Sequence, residues 1–98
     1  MPTVEIYTQA FCPYCSRAVR LMREKGVPFT EIDAPRGSAA RREAIERSGG
    51  STTVPQIFID GQSIGGCDEL LELERTGRLD PLLAGICSSW SVDKLNRL

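Results

Sequence analysis

Thr3-Val4-Glu5-Ile6-Tyr7-Thr8-Gln9-Ala10-Phe11-Cys12-Pro13-Tyr14-Cys15 is the stretch on which the fold turns. Val4, Ile6 and Thr8 alternate with Glu5 and Tyr7, the period of a strand. From Ser16 to Lys25 the period changes: Cys15, Ala18, Val19 and Met22 share one face of a helix, while Arg17, Arg20, Arg23 and Glu24 fall largely on the others, and Gly26 stops it. A strand therefore delivers two thiols, three positions apart, to the start of a helix. Such a pair can close a disulfide, reopen it and pass the electrons on.

The spacing makes the two sulfurs unequal. Pro13 suits the first helical position, where its missing N–H costs nothing, so Cys12 falls at the exposed N-cap and Cys15 almost one turn further in, pointing inward. A thiolate at an N-cap can accept bonds from free backbone N–H groups at the positive end of the helix dipole, an arrangement that favours the ionised sulfur. The chain contains no histidine. A Cys–His pair is therefore excluded, and stabilisation is left to the backbone and to nearby cations such as Arg17. A zinc site would want a second close pair or histidines, whereas the other cysteines, Cys67 and Cys87, stand apart. A structural disulfide across so short a loop would restrain little of the unfolded chain. No metal is expected.

Beyond Gly26, Phe29 to Asp33 alternates again, and a strand-helix-strand with this short return should be parallel. Ser38 can cap a second helix running to about Ser48, with Ala40, Ala44, Ile45 and Ser48 at helical spacing. Arg41, Arg42, Glu43, Glu46 and Arg47 are then mostly its wet face. Pro55 to Ile59, Asp60-Gly61 and Gln62 to Ile64 read as a hairpin, since Asp-Gly between apolar runs is a strong tight-turn signal. Asp68 can cap a third helix carrying Leu70, Leu71 and Leu73 up to Gly77, and Asp80-Pro81 starts a last turn through Leu83. The expectation is an α/β fold: βαβ then ββα, a four-stranded mixed sheet with helices on both faces.

At 98 residues there is room for one domain, placed at 1–84. Residues 85–98, Ser-rich around Trp90, read as a C-terminal extension or cloning remainder, with no role for Cys87 or Trp90. Twelve Lys plus Arg nearly balance thirteen Asp plus Glu. That balance gives no reason to expect nucleic acid or an anionic membrane as partner. Neither a signal peptide nor a membrane-length apolar stretch is present, so a cytoplasmic monomer is expected, its cysteines working thiols.

Three segments in this order, Cys12-Pro13-Tyr14-Cys15, Thr53-Val54-Pro55 and Gly65-Gly66-Cys67-Asp68, resemble the glutaredoxins, specifically the dithiol class of bacterial type, over roughly residues 3 to 83. The resemblance implies the thioredoxin fold and glutathione-dependent reduction of disulfides. Glutathione would be the reducing co-substrate, and disulfide-containing or glutathionylated proteins the partners. Cys12 and Cys15 would be catalytic, with Tyr14, Thr53, Val54, Pro55, Gly66, Cys67, Asp68 and Arg42 around the bound glutathione.

Each segment has a physical reading beside this one. A cis bond before Pro55 would free the N–H and C=O of Val54 to pair with an extended peptide, and an ordinary trans proline at a strand start is the alternative. Gly65-Gly66 lets the backbone pass close to a ligand. The helix start beyond it offers N–H groups to a carboxylate while Asp68 takes an ammonium, unless Asp68 is only a cap. Arg42, or Arg41, would meet the glycyl carboxylate, or else be simply solvated. Departures from the family are Gln9, where a basic residue is common, and Ser51-Thr52 before the Thr-Val-Pro segment; both reduce positive charge near the thiols.

Two other activities fit a Cys-x-x-Cys. A thioredoxin-like protein fed by a reductase would typically carry Gly-Pro between its cysteines. A glutathione-ligated iron–sulfur carrier resembles the single-cysteine glutaredoxins, and the rigid Pro13 ring beside Cys12 should hinder cluster assembly.

Overall fold

The computed structural model describes residues 3–84, so Cys87 and Trp90 lie outside the described residues. Strand β1 (Val4–Thr8) leads into helix α1 (Pro13–Glu24), then come β2 (Thr30–Asp33), α2 (Ala39–Arg47), β3 (Gln56–Ile59), β4 (Gln62–Gly65), α3 (Cys67–Arg75) and a short α4 (Leu79–Leu83). The sheet order is β2-β1-β3-β4. β1 runs parallel to β2, with Ile6 opposite Glu31, and antiparallel to β3, with Ile6 opposite Ile57, while β3 and β4 form the antiparallel hairpin. Its turn is tight because Asp60 and Gly61 both take positive φ, 52° and 80°, as a two-residue turn with the twist of the strands demands. Asp60 also accepts from the Thr3 N–H at 2.9 Å through Oδ1, which pins the turn to the start of β1.

Period-two alternation on the two central strands divides the core. Val4, Ile6, Ile57 and Ile59 face α1 and α3, where they meet Ala18, Val19, Met22 and Leu70, with Leu79 and Leu83 of α4 closing the layer. Tyr7 and Phe58 face the other way, onto Ala34 and Ala44 under α2, their rings 5.6 Å apart and edge-to-face. Both central strands are thus buried on both sides. Each half of the expectation, a mixed four-stranded sheet and helices on both faces, is met.

Three local expectations are corrected. Asp68 does not cap the third helix: Gly66 occupies the N-cap and Asp68 sits in the first turn. The cap moves back because Glu69 Oε1 accepts from the Gly66 N–H at 2.8 Å. Arg41 is not on a wet face but 7% exposed. Arg47 is half-buried, its guanidinium 4.1 Å above the Phe58 ring, donating to Tyr7 Oη at 2.8 Å and paired with Glu5 at 2.8 Å. A helix packed across a sheet needs long side chains along its edge, and arginine stems supply apolar cover while their heads find acceptors.

Candidate active site

The site is assembled where β1 ends and the antiparallel β3 begins. Beyond Thr8 the chain passes through Gln9, Ala10 and Phe11, the last at φ 57°, and arrives at Cys12 in extended conformation. Cys12 is the N-cap of α1 and Pro13 its first residue. Cys12 Sγ accepts from the Cys15 N–H at 3.2 Å, so one of the helix's unsatisfied donors points at this sulfur. Cys12 is partly exposed and Cys15 is 4% exposed. Burial pushes the Cys15 thiol up to about 12; its hydrogen bond with Cys12 and the Cys12 and Glu31 charges act in the same direction, and only the main chain of Gln9 works against them. Cys15 is therefore held as a neutral thiol beneath an accessible sulfur.

The Val54–Pro55 peptide is cis. It brings the carbonyl oxygen of Val54 to 4.0 Å from Cys12 Sγ. Buried side chains hold the loop before it. Gln56 Nε2 donates to Thr53 O and to Ser51 Oγ, both at 2.8 Å. Arg41 donates to Thr52 O at 2.9 Å through Nη2, and through Nη1 to Gln9 Oε1 and Ala34 O, each at 2.9 Å. One guanidinium so ties the loop that precedes Cys12 to the loop that precedes Val54. Sequence reasoning missed this role, because the signal, an arginine facing inward among solvated ones, exists only once α2 is laid on the sheet.

Beside the dithiol is a cavity of about 420 Å³ lined by Tyr14, Thr53, Val54, Pro55, Gly66, Cys67 and Asp68. Seven of the residues named from the sequence are thus brought together, and Glu69, which was not named, joins them. Its signal was present: an acid three residues after a helix cap is the pattern of a capping box. Gly66 is needed here for space, since a Cβ on it would stand 3.1 Å from the Pro55 carbonyl oxygen. Arg42 is not brought in; it is exposed on α2 and absent from this lining. Cys67 is 4% exposed. Burial raises its thiol, with Arg17 opposing and Asp68, Cys12 and Glu69 reinforcing. Among the described residues no cluster of three or more Cys, Asp or Glu stands ready for a metal ion, and no helix is long and apolar enough to cross a membrane.

An accessible sulfur on a helix cap, a shielded partner thiol one turn below and a cis-proline strand edge alongside define a dithiol exchange protein of the thioredoxin fold. A family model described as Glutaredoxin matches residues 4–64. The chain is 58% identical to glutaredoxin 3 of Escherichia coli K12 over 83 residues, covering 85% of this chain and 99% of that one. It is 55% identical to a Pseudomonas aeruginosa glutaredoxin over 84 residues, 86% and 99% of the two chains. Among solved structures, a buckwheat glutaredoxin–glutathione complex superposes with a TM-score of 0.75 at 33% identity, covering 84% of this chain and 76% of that one. The chain belongs to the glutaredoxin family, and its activity is glutathione-dependent thiol–disulfide oxidoreduction.

Proposed function

We propose that Cys12 is the attacking sulfur, Cys15 the resolving one, and the cavity bounded by Tyr14, Val54–Pro55 and the start of α3 the seat of glutathione. The observation that carries this reading is the position of Cys12 Sγ, which accepts from the Cys15 N–H and lies 4.0 Å from Val54 O in the cavity wall. A glutathionyl cysteine pairing its own backbone with the Val54 edge brings its sulfur beside Cys12. The γ-glutamyl end then reaches the first turn of α3. There the N–H groups suit its carboxylate, and Asp68 suits its ammonium. Thr53 and Tyr14 border the pocket, Gly66 and Cys67 offer main chain, and Arg42 remains the proposed counter-charge for the glycyl carboxylate.

With a glutathione–protein mixed disulfide, Cys12 thiolate forms a bond to the glutathionyl sulfur as that sulfur's bond to the protein breaks, and the electron pair leaves on the protein thiolate. A second glutathione thiolate attacks the Cys12-bound sulfur, releasing oxidised glutathione and restoring Cys12. With a protein disulfide, Cys12 forms a mixed disulfide with the protein. Cys15 then gives up its proton, attacks Cys12 Sγ and expels the second protein thiolate, leaving a Cys12–Cys15 bridge that two glutathiones reduce. The high Cys15 value keeps it from competing as first nucleophile. A cytoplasmic, glutathione-rich setting and a monomeric protein complete the proposal.

Cys12→Ser should abolish turnover of a small glutathione mixed disulfide in an assay coupled to glutathione reductase. Cys15→Ser should keep that reaction and lose most protein-disulfide reduction. Full activity in Cys12→Ser, or equal loss of both reactions in Cys15→Ser, overturns the assignment.

A further inference from the structure

A second cavity, of about 370 Å³, shares no lining residue with the first; Cys12 lines it together with Phe11, Ser16, Arg20, Arg23 and Glu31. Phe11 is fully exposed and, with Tyr14, is one of two large apolar side chains standing in solvent among the described residues. Tyr14 borders the first cavity and Phe11 the second. The Phe11 backbone, at φ 57°, is in a conformation that disfavours a bulky residue, and its exposed ring returns nothing to folding. Arg20 and Arg23 are neighbours on the outer face of α1, exposed, and without an ion pair or side-chain hydrogen bond among the described residues. Glu31, which accepts from the Thr8 hydroxyl at 3.0 Å, is the one carboxylate in this lining, so two guanidiniums outweigh it.

From these features we infer that the second groove receives the polypeptide half of the disulfide substrate, and that it selects segments carrying acidic residues near the target cysteine. The inference rests on the assignment of the first cavity to glutathione. Cys12, where the exchange takes place, lines this groove and not the glutathione cavity, and the two linings share no residue, so the polypeptide half of the substrate has its room along this rim. Phe11 meets it first. Arg20 and Arg23 lie eight and eleven residues beyond Cys12, about 12 and 16 Å along the helix. In extended chain that is the reach of roughly four to five residues. Acids at those distances from the cysteine would meet the two guanidiniums, while the same positions filled by lysine would be repelled.

The test uses three glutathionylated substrates: a peptide with glutamates four and five residues from its cysteine, the same peptide with lysines there, and the mixed disulfide of glutathione with 2-mercaptoethanol, which has no polypeptide. The parent should favour the acidic peptide by about tenfold in kcat/KM at low salt, with the preference shrinking at high salt. The double variant R20E/R23E should reverse the preference, and F11N should slow both peptides. All three proteins should handle the 2-mercaptoethanol disulfide within about twofold of one another. No preference in the parent, or a preference that R20E/R23E leaves standing, overturns the inference; so does an equal loss on all three substrates. Failure of the parent on the 2-mercaptoethanol disulfide would instead sink the glutathione assignment itself.

Discussion

Replacing Arg41 with methionine keeps the unbranched stem and removes the fork that joins the two active-site loops. Three acceptors lose their donor: Ala34 O, whose bond is buried, and Thr52 O and Gln9 Oε1, which are partly accessible. An orphaned buried carbonyl costs about 1–3 kcal/mol, and water can replace the donor at the other two, so the sum is about 2–4 kcal/mol of folding stability. In a domain of this size that lowers the thermal midpoint by roughly 10 °C or more. Arg41→Lys can satisfy one acceptor but not the fork, and should fall between the two. Loop placement should suffer as well as stability. At a temperature where the variants remain folded, KM for a glutathione mixed disulfide should rise about three- to tenfold, with kcat changing less, because Thr52 no longer fixes the strand edge at Val54. Thermal melts and steady-state kinetics on the three proteins decide the matter. A midpoint within 1 °C of the parent, or a large stability loss with KM unchanged, would show that Arg41 does not couple the loops.

The pH dependence of stability follows from Cys15. Its ordinary value is 9.0 and its folded value about 12, so between these the unfolded chain has released a proton that the folded chain keeps. The contribution is complete below pH 9 and is lost as pH rises towards 12, with a slope of up to about 1.4 kcal/mol per pH unit. Denaturant titrations of the reduced protein should show this slope, and Cys15→Ser should flatten it; an unchanged slope contradicts the burial argument. Gly66→Ala would put a methyl group 3.1 Å from the Pro55 carbonyl oxygen, at a backbone φ that alanine tolerates. We expect a roughly two- to fivefold rise in KM for glutathione substrates with a small change in melting temperature, and an unaltered KM would remove the Gly66 main chain from the binding surface.

How much of this was legible beforehand depends on the range of the interaction involved. Cys12 at the N-cap, Pro13 behind it and Cys15 on the inner face all follow from residues within one helical turn, and the Asp60-Gly61 hairpin from two residues with a strong backbone preference. Asp68 was misplaced as the cap because glycine and aspartate both cap helices, and the choice fell to the Glu69 carboxylate reaching back to Gly66. Arg41 and Arg47 read as solvated because helical spacing puts charged residues on an outer face by default. Their burial depends on Thr52, Gln9 and Phe58, each at least ten residues away in sequence.

By itself, then, the chain's order of residues determined the α/β architecture and which sulfur is presented and which withheld, since strand and helix periods and an N-cap are local matters of backbone geometry. Tertiary structure alone decided that the Val54 carbonyl stands 4.0 Å from Cys12, that Arg41 locks the two loops together, and that the active-site end carries two cavities of different lining, Cys12 in the wall of the second. The contacts behind the first two join residues 11 to 42 positions apart in sequence. They are set by how β1 and β3 pair and how α2 packs across them, which no short stretch of chain encodes.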